Sequence, residues 1–267
     1  MFGRRKVAAL SAEFLATGVL TLVVLSVQRS TIGVPYFVAI AAGLVMAMLV
    51  YVFSAHANPA VTIALWTARK VGTLTAVLFV AMQLLGAWAA YALYGYFVNS
   101  SLQAVGGTYT GRVLIAEAIG ALILGLGWAV VVYRSNQTAG ARASIVGVGY
   151  TVGVIVAAAV GIGIINPAVA LGIHAWEVFG SMGWGTYVLG PVLGAVIGVN
   201  LYGLLFAGTN EDDKVAEAVV VEEIVVAETV VKDPVTNKKT TTKATTTTKK
   251  KTTAKKPAAK KKTTAKK

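Results

Sequence analysis

Two copies of Asn-Pro-Ala-Val interrupt an otherwise apolar chain and are its clearest polar landmarks. Asparagine is a favoured helix N-cap and proline is favoured at the first helical position, so each copy predicts the start of a helix. The apolar continuations, 59–67 and 167–176, would each span only ~15 Å, about half of a bilayer core. The motif residues are Asn58, Pro59, Ala60, Asn166, Pro167 and Ala168.

Two carboxylates also lie within apolar stretches, Glu13 in "AEFLATGVL" and Glu117 in "AEAIGALIL". Acids inside a membrane span are costly and are functional candidates by default, so a proton relay is one hypothesis. A nucleophile–base set, metal-ligand spacing and a Gly-rich phosphate loop are all lacking, so we expect no enzyme, metal or cofactor. The chain has no cysteine, which excludes disulfide and thiol chemistry.

The elements that must position these residues are membrane helices. Hydrophobic residues make up 56% of the 267 residues, above the roughly 45–50% of soluble domains. The expected fold is therefore an all-α membrane protein, and we expect the first helix to be retained, since it lacks a small-residue cleavage site. The predicted spans are 8–28, 34–53, 72–98, 113–133, 143–162 and 184–206.

The placement of lysine and arginine predicts the orientation. Only Arg29 and Arg112 lie in loops on one side of the membrane, as the predicted spans place it. The other lysines and arginines, including those of the basic tail, lie on the opposite side. The positive-inside rule then places both termini in the cytoplasm. The basic residues on that side are Arg4, Arg5, Lys6, Arg69, Lys70, Arg134 and Arg142.

An internal repeat relates the two halves of the membrane region. Asn166 follows Asn58 by 108 residues, and Gly194 follows Gly86 by the same 108. Each half has three spans, an odd number, so the second half is inverted, as in many transport proteins. The two short helices then meet near the midplane, where their positive N-termini would repel cations but admit neutral molecules with a lone pair.

These motifs resemble the aquaporin, or major intrinsic protein, family. The resemblance rests on "HANPAVTIAL" at His56, "QLLGAW" at Gln83, "AEAIG" at Ala116, "NPAVALG" at Asn166 and "GPVLGA" at Gly190, and it covers residues 8–206. It implies six transmembrane helices plus two half-helices, a homotetramer with one pore per subunit, and passive conduction of water or small neutral solutes such as glycerol, urea or ammonia.

The resemblance also assigns a selectivity filter, and here the sequence departs from the family pattern. The family usually has arginine after the second Asn-Pro-Ala, where this chain has Val169. The remaining filter positions map to Ala42 (or Val38), Val154 (or Val156) and about Gly163. We therefore expect a wide, apolar filter that passes solutes larger than water.

The resemblance makes Glu13 and Glu117 structural buttresses that accept hydrogen bonds from the half-helix loops. It makes His56 a pore-lining or gating residue, although a structural loop contact is the alternative.

We predict a channel domain over residues 1–208 and a low-complexity, disordered Lys/Thr-rich cytoplasmic tail over 209–267. The tail could simply be solvated, or it could bind anionic lipid or nucleic acid. Two alternatives to a cell-membrane channel stay open. One is a membrane-anchored scaffold that acts through the tail and has a vestigial pore, and the other is an ion-coupled transporter.

Overall fold

The computed structural model describes residues 3–28, 35–100, 102, 110–134, 136–174 and 181–208. These residues form α-helices and one π-helical segment, with no strand among them. The elements, in chain order, are α1 (Arg4–Gln28), α2 (Pro35–Phe53), α3 (Pro59–Thr67), α4 (Thr73–Val98), α5 (Gly111–Tyr133), α6 (Ala139–Ala157), α7 (Pro167–Gly172), α8 (Ser181–Trp184), the π segment (Gly185–Leu189) and α9 (Gly190–Phe206).

Six helical stretches in the described part of the chain are long and apolar enough to cross a membrane. They are α1, α2, α4, α5, α6 and the combined stretch of α8, the π segment and α9. The predicted all-α membrane fold is therefore confirmed. The proposed boundary between the channel domain and the tail cannot be compared with the structure, because residues 209–267 lie outside the described part.

Two C-terminal helix ends differ from the sequence prediction, both near the second Asn-Pro-Ala motif, and α1 and α6 each begin four residues earlier than predicted. α6 ends at Ala157 rather than at 162, since 162–166 is non-helical, with Gly163 at φ +64° and Ile165 at φ +49°. This stretch must run back towards the middle of the bundle before α7 can begin. α7 ends at Gly172 rather than at 176, because His174 adopts the left-handed conformation, which stops the helix.

Glycines allow the long helices to pack with their backbones in contact. A Cβ at Gly194 of α9 would overlap the carbonyl oxygen of Ala118 of α5. In the first half, a Cβ at Gly86 of α4 would overlap the carbonyl oxygen of Phe14 of α1 in the same way. The two helix pairs are therefore equivalent, and the internal repeat seen in the sequence is also a repeat of tertiary contacts.

Candidate pore

The two Asn-Pro-Ala motifs begin short helices in the way that their residue types predict. Asn58 is extended at φ −156°, and its side-chain oxygen accepts from Ala60 N at 2.9 Å. Asn166 is extended at φ −141°, and its side-chain oxygen accepts from Ala168 N at 3.0 Å. Each proline sits in the first turn, where its missing N–H costs no hydrogen bond.

The two motifs are also bonded to each other across the inverted repeat. Asn58 Nδ2 donates to the carbonyl oxygen of Ile165 at 3.0 Å, and Asn166 Nδ2 donates to that of Ala57 at 2.8 Å. The positive ends of α3 and α7 are therefore held beside one point inside the bundle. A side-chain amide has two N–H bonds, and these contacts use one from each asparagine.

The accepting carbonyls belong to backbone turns of unusual conformation. Ala57 has φ +50° and Ile165 has φ +49°, in the left-handed region that non-glycine residues rarely adopt. For a β-branched residue such as Ile165 this costs on the order of 1–3 kcal/mol. The paired turns aim each carbonyl at the opposite asparagine, so the strain has a clear structural consequence.

The two buried glutamates accept hydrogen bonds from these turns. Glu13 accepts from His56 N at 2.8 Å and from Ala57 N at 2.9 Å. Glu117 accepts from Ile164 N at 2.9 Å and from Ile165 N at 2.6 Å. Each carboxylate thus satisfies two N–H groups that the non-helical backbone would otherwise leave unpaired within the membrane.

A polar network extends this arrangement in the first half of the chain. Gln83 Nε2 donates to Glu13 at 2.7 Å and to Thr62 Oγ1 at 2.9 Å. The Thr62 hydroxyl donates to Asn58 O at 3.1 Å, and His56 Nδ1 lies 3.1 Å from the same hydroxyl oxygen. Since the only hydroxyl hydrogen is used on Asn58 O, this arrangement assigns a hydrogen to His56 Nδ1, which donates to Thr62.

The residues predicted for the filter lie around one cavity beside the second half-helix, α7. The cavity has about 250 Å³ of empty space including the part open to solvent, of which about 10 Å³ can hold the centre of a water-sized molecule. Val38, the alternative to Ala42, also lines it, whereas Val156, the alternative to Val154, does not. The lining residues are Val24, Gln28, Val38, Ala42, Tyr150, Val154, Gly163, Ile164 and Val169.

Two polar residues of this lining were missed from the sequence. Tyr150 is buried on α6, one turn before Val154, and Gln28 ends α1, one turn after Val24. Tyr150 and Val154, like Val24 and Gln28, are four residues apart, which places the two members of each pair on one helix face. This spacing was the sequence signal that could have identified the two polar lining residues. The cavity is thus apolar apart from one phenol and one amide.

The opposite end of the helix bundle carries basic residues, and we call it the basic end. It is where α3 and α5 finish and where α6 begins. Lys70 Nζ lies 4.1 Å from the centre of the Tyr133 ring, and Arg134 Nε donates to the Tyr202 hydroxyl at 2.8 Å. His56 lies in the non-helical segment between α2 and Asn58.

Comparison with known proteins agrees with this architecture. The family model described as "Major intrinsic protein" matches residues 4–202. The chain is 31% identical over 194 residues to a probable aquaporin, AqpM, of Archaeoglobus fulgidus, covering 65% of this chain and 75% of that protein. It is 34% identical over 140 residues to aquaporin PIP1-1 of Arabidopsis thaliana, covering 46% of this chain and 49% of the plant protein.

Among solved structures, the aquaglyceroporin of Plasmodium falciparum superposes with a TM-score of 0.61. Its sequence identity is 21%, and the match covers 75% of this chain and 96% of that one, which shows a shared fold. The family match extends over both half-helices and from the first to the last span. The chain therefore belongs to the major intrinsic protein family and is a multi-pass membrane protein.

Proposed function

We propose that the protein is a passive channel for water and small neutral solutes of the glycerol, urea or ammonia class. The observation that carries this proposal is the pair of crossed hydrogen bonds from Asn58 and Asn166, which joins two helix N-termini inside an apolar bundle. Both asparagines are fully buried. Polar caps in such a place are explained if they border a path that water enters.

The mechanism follows from charge and hydrogen bonding. Each helix N-terminus is equivalent to roughly half a positive charge, so a cation or hydronium ion is repelled where α3 and α7 meet. The second N–H of each asparagine amide can donate to the oxygen of a passing molecule. A water molecule held by two donors cannot accept a proton from its neighbour, and this interrupts proton transfer along the file.

The selectivity filter that we propose comprises Ala42, Val154, Gly163 and Val169. Their small or apolar side chains leave the outer cavity without a fixed charge. Solutes larger than water should therefore enter, and exclusion of cations should depend mainly on the asparagine region.

We propose that Glu13 and Glu117 are structural buttresses rather than proton carriers. Two backbone donors occupy each carboxylate, and Gln83 adds a third contact at Glu13. Hydrogen bonds donated to a carboxylate favour its ionised form, and protonation would weaken the bonds that hold the half-helix loop, so each carboxylate is a poor intermediate for proton transfer.

We further propose that the channel is a homotetramer in the cell membrane with both termini in the cytoplasm. Family membership supports the tetramer, and the basic end supports the orientation through the positive-inside rule. The apolar side chains exposed on the outside of the bundle, such as Leu44, Trp88 and Leu204, suit contact with lipid or with neighbouring subunits.

The proposal is tested by stopped-flow light scattering of proteoliposomes with water, glycerol, urea and ammonia. Permeability no higher than that of empty liposomes for all four would refute it. Because the chain has no cysteine, a Val169→Cys variant offers one defined thiol. A small water-soluble mercurial should block that variant, leave the parent protein unaffected, and leave a lipid-facing Leu44→Cys control conducting.

A further inference from the structure

The internal repeat predicts which residues line the half of the pore at the basic end. Glu117 follows Glu13 by 104 residues, and Trp128 follows Val24 by the same 104. Asn166 follows Asn58 by 108 residues, and Ile164 follows His56 by the same 108. Val24 and Ile164 both line the outer cavity, so Trp128 and His56 are their counterparts in the other half.

The structure brings these two counterparts together. The His56 and Trp128 rings lie with centroids 5.2 Å apart at 84°, an edge-to-face contact. The ring of Phe79 lies 5.5 Å from that of His56. The outer half has Ile164 and Val24 at the corresponding positions. The repeat is therefore imperfect here, because two aliphatic side chains in the outer half correspond to two side chains in the other half that can form hydrogen bonds.

Trp128 carries a polar atom that nothing in the described part of the chain satisfies. The residue is 4% exposed, and its indole Nε1 has no hydrogen-bond partner there. Buried donors are nearly always paired, and a buried Trp usually places its N–H where a partner can reach it. A permeating molecule with a lone pair is the partner that this location provides.

His56 is held in a fixed position beside this donor. Its backbone N donates to Glu13, and its Nδ1 is directed to Thr62. With Nδ1 protonated, Nε2 of the neutral ring is an acceptor, and these contacts leave it uncommitted. One aromatic donor and one acceptor then lie next to each other, a pair suited to a molecule that carries hydroxyl or amide groups.

We propose that Trp128 and His56 form the solute-recognising site of the pore, on the basic side of the asparagines, and that the Trp128 indole N–H donates to the permeating solute. This inference depends on the proposed channel function. It adds a polar recognition site to the apolar outer filter expected from the sequence, because the outer cavity is lined mainly by aliphatic side chains and glycine. Trp128 is thus a specificity-determining residue.

The decisive variant is Trp128→Phe, which keeps an aromatic ring and removes the N–H. Losing this hydrogen bond to the permeating molecule should lower water and glycerol permeability by about three- to tenfold. The matched control is Trp88→Phe, on the outer surface at 62% exposure, which should conduct like the parent. Trp128→Ala should widen the pore at this position and raise the glycerol-to-water permeability ratio.

If Trp128→Phe and Trp88→Phe both conduct like the parent protein, Trp128 is only a packing residue and the inference fails. If Trp128 variants do not fold, Val50→Cys tests the same assignment, because Val50 is the counterpart of the cavity-lining Val154 in the repeat. A small water-soluble thiol reagent should block conduction by Val50→Cys. Continued conduction after complete labelling would show that Val50 does not line the pore and would overturn the assignment of residues to its basic half. A parent protein that conducts nothing would instead refute the proposed channel function.

Discussion

The substitution Glu117→Gln tests how the second half-helix is held. Glu117 accepts from Ile164 N at 2.9 Å and from Ile165 N at 2.6 Å. Glutamine has nearly the same shape but only one acceptor oxygen, so one of these N–H groups would face an NH₂ donor. An unmet buried donor costs about 1–3 kcal/mol. The variant should therefore be destabilised by that amount, although no side-chain volume is lost.

The effect should reach the pore because the same backbone turn carries the acceptor of Asn58. Ile165 holds φ +49°, a conformation that the Glu117 hydrogen bond helps to maintain. If the turn relaxes, the Ile165 carbonyl moves away from Asn58 Nδ2, which now lies 3.0 Å from it. Asn58 would then lose its fixed orientation, and water permeability should fall several-fold.

Both effects are measurable on one preparation. A loss of 1 kcal/mol shifts the midpoint by roughly 2–4 °C in chains of about this size, so the thermal unfolding midpoint in detergent should fall by several degrees. Stopped-flow swelling of liposomes gives the permeability. The control is Ile119→Val on the same helix, at a residue 46% exposed on the outside of the bundle. A Glu117→Gln protein with the parent's midpoint and permeability would refute the buttress reasoning.

Three further predictions concern the filter, the helix contacts and the tail. Val169→Arg should place a cation in the outer cavity, lower glycerol permeability more than water permeability and reduce any proton leak, measured with a pH-sensitive dye in proteoliposomes. Gly194→Ala should lower stability by about 1–3 kcal/mol because its Cβ would overlap the Ala118 carbonyl, whereas Gly127→Ala, whose Cβ would meet only ordinary contacts, should be nearly neutral in the same thermal assay. Deletion of residues 209–267 should leave permeability unchanged, and loss of conduction would favour a function that depends on the tail.

Much of the fold could be predicted because its determinants are local. The first half-helix begins at Pro59 and ends at Thr67, the predicted bounds. An asparagine cap followed by proline specifies a helix start whatever surrounds it. The end of α6 was predicted five residues too late, because apolar residues continue past Ala157 and Gly161 was given no weight as a helix stop.

The filter positions could be proposed only through the family resemblance, and the resemblance did not include Tyr150 or Gln28. Both lie on faces that become part of the cavity only when α1, α2, α6 and the segment before α7 converge. Spacing along one helix identifies residues that share a face, but it does not say what that face meets.

The sequence by itself determined six apolar spans, two asparagine-capped half-helices and an inverted repeat, because hydropathy, capping and periodicity act over a few neighbouring residues. Only the tertiary structure decided that Asn58 bonds to Ile165 and Asn166 to Ala57, more than 100 positions away in the chain. It also decided that His56 meets Trp128. These contacts depend on how the two halves pack, and packing is set by close approach of many distant residues at once.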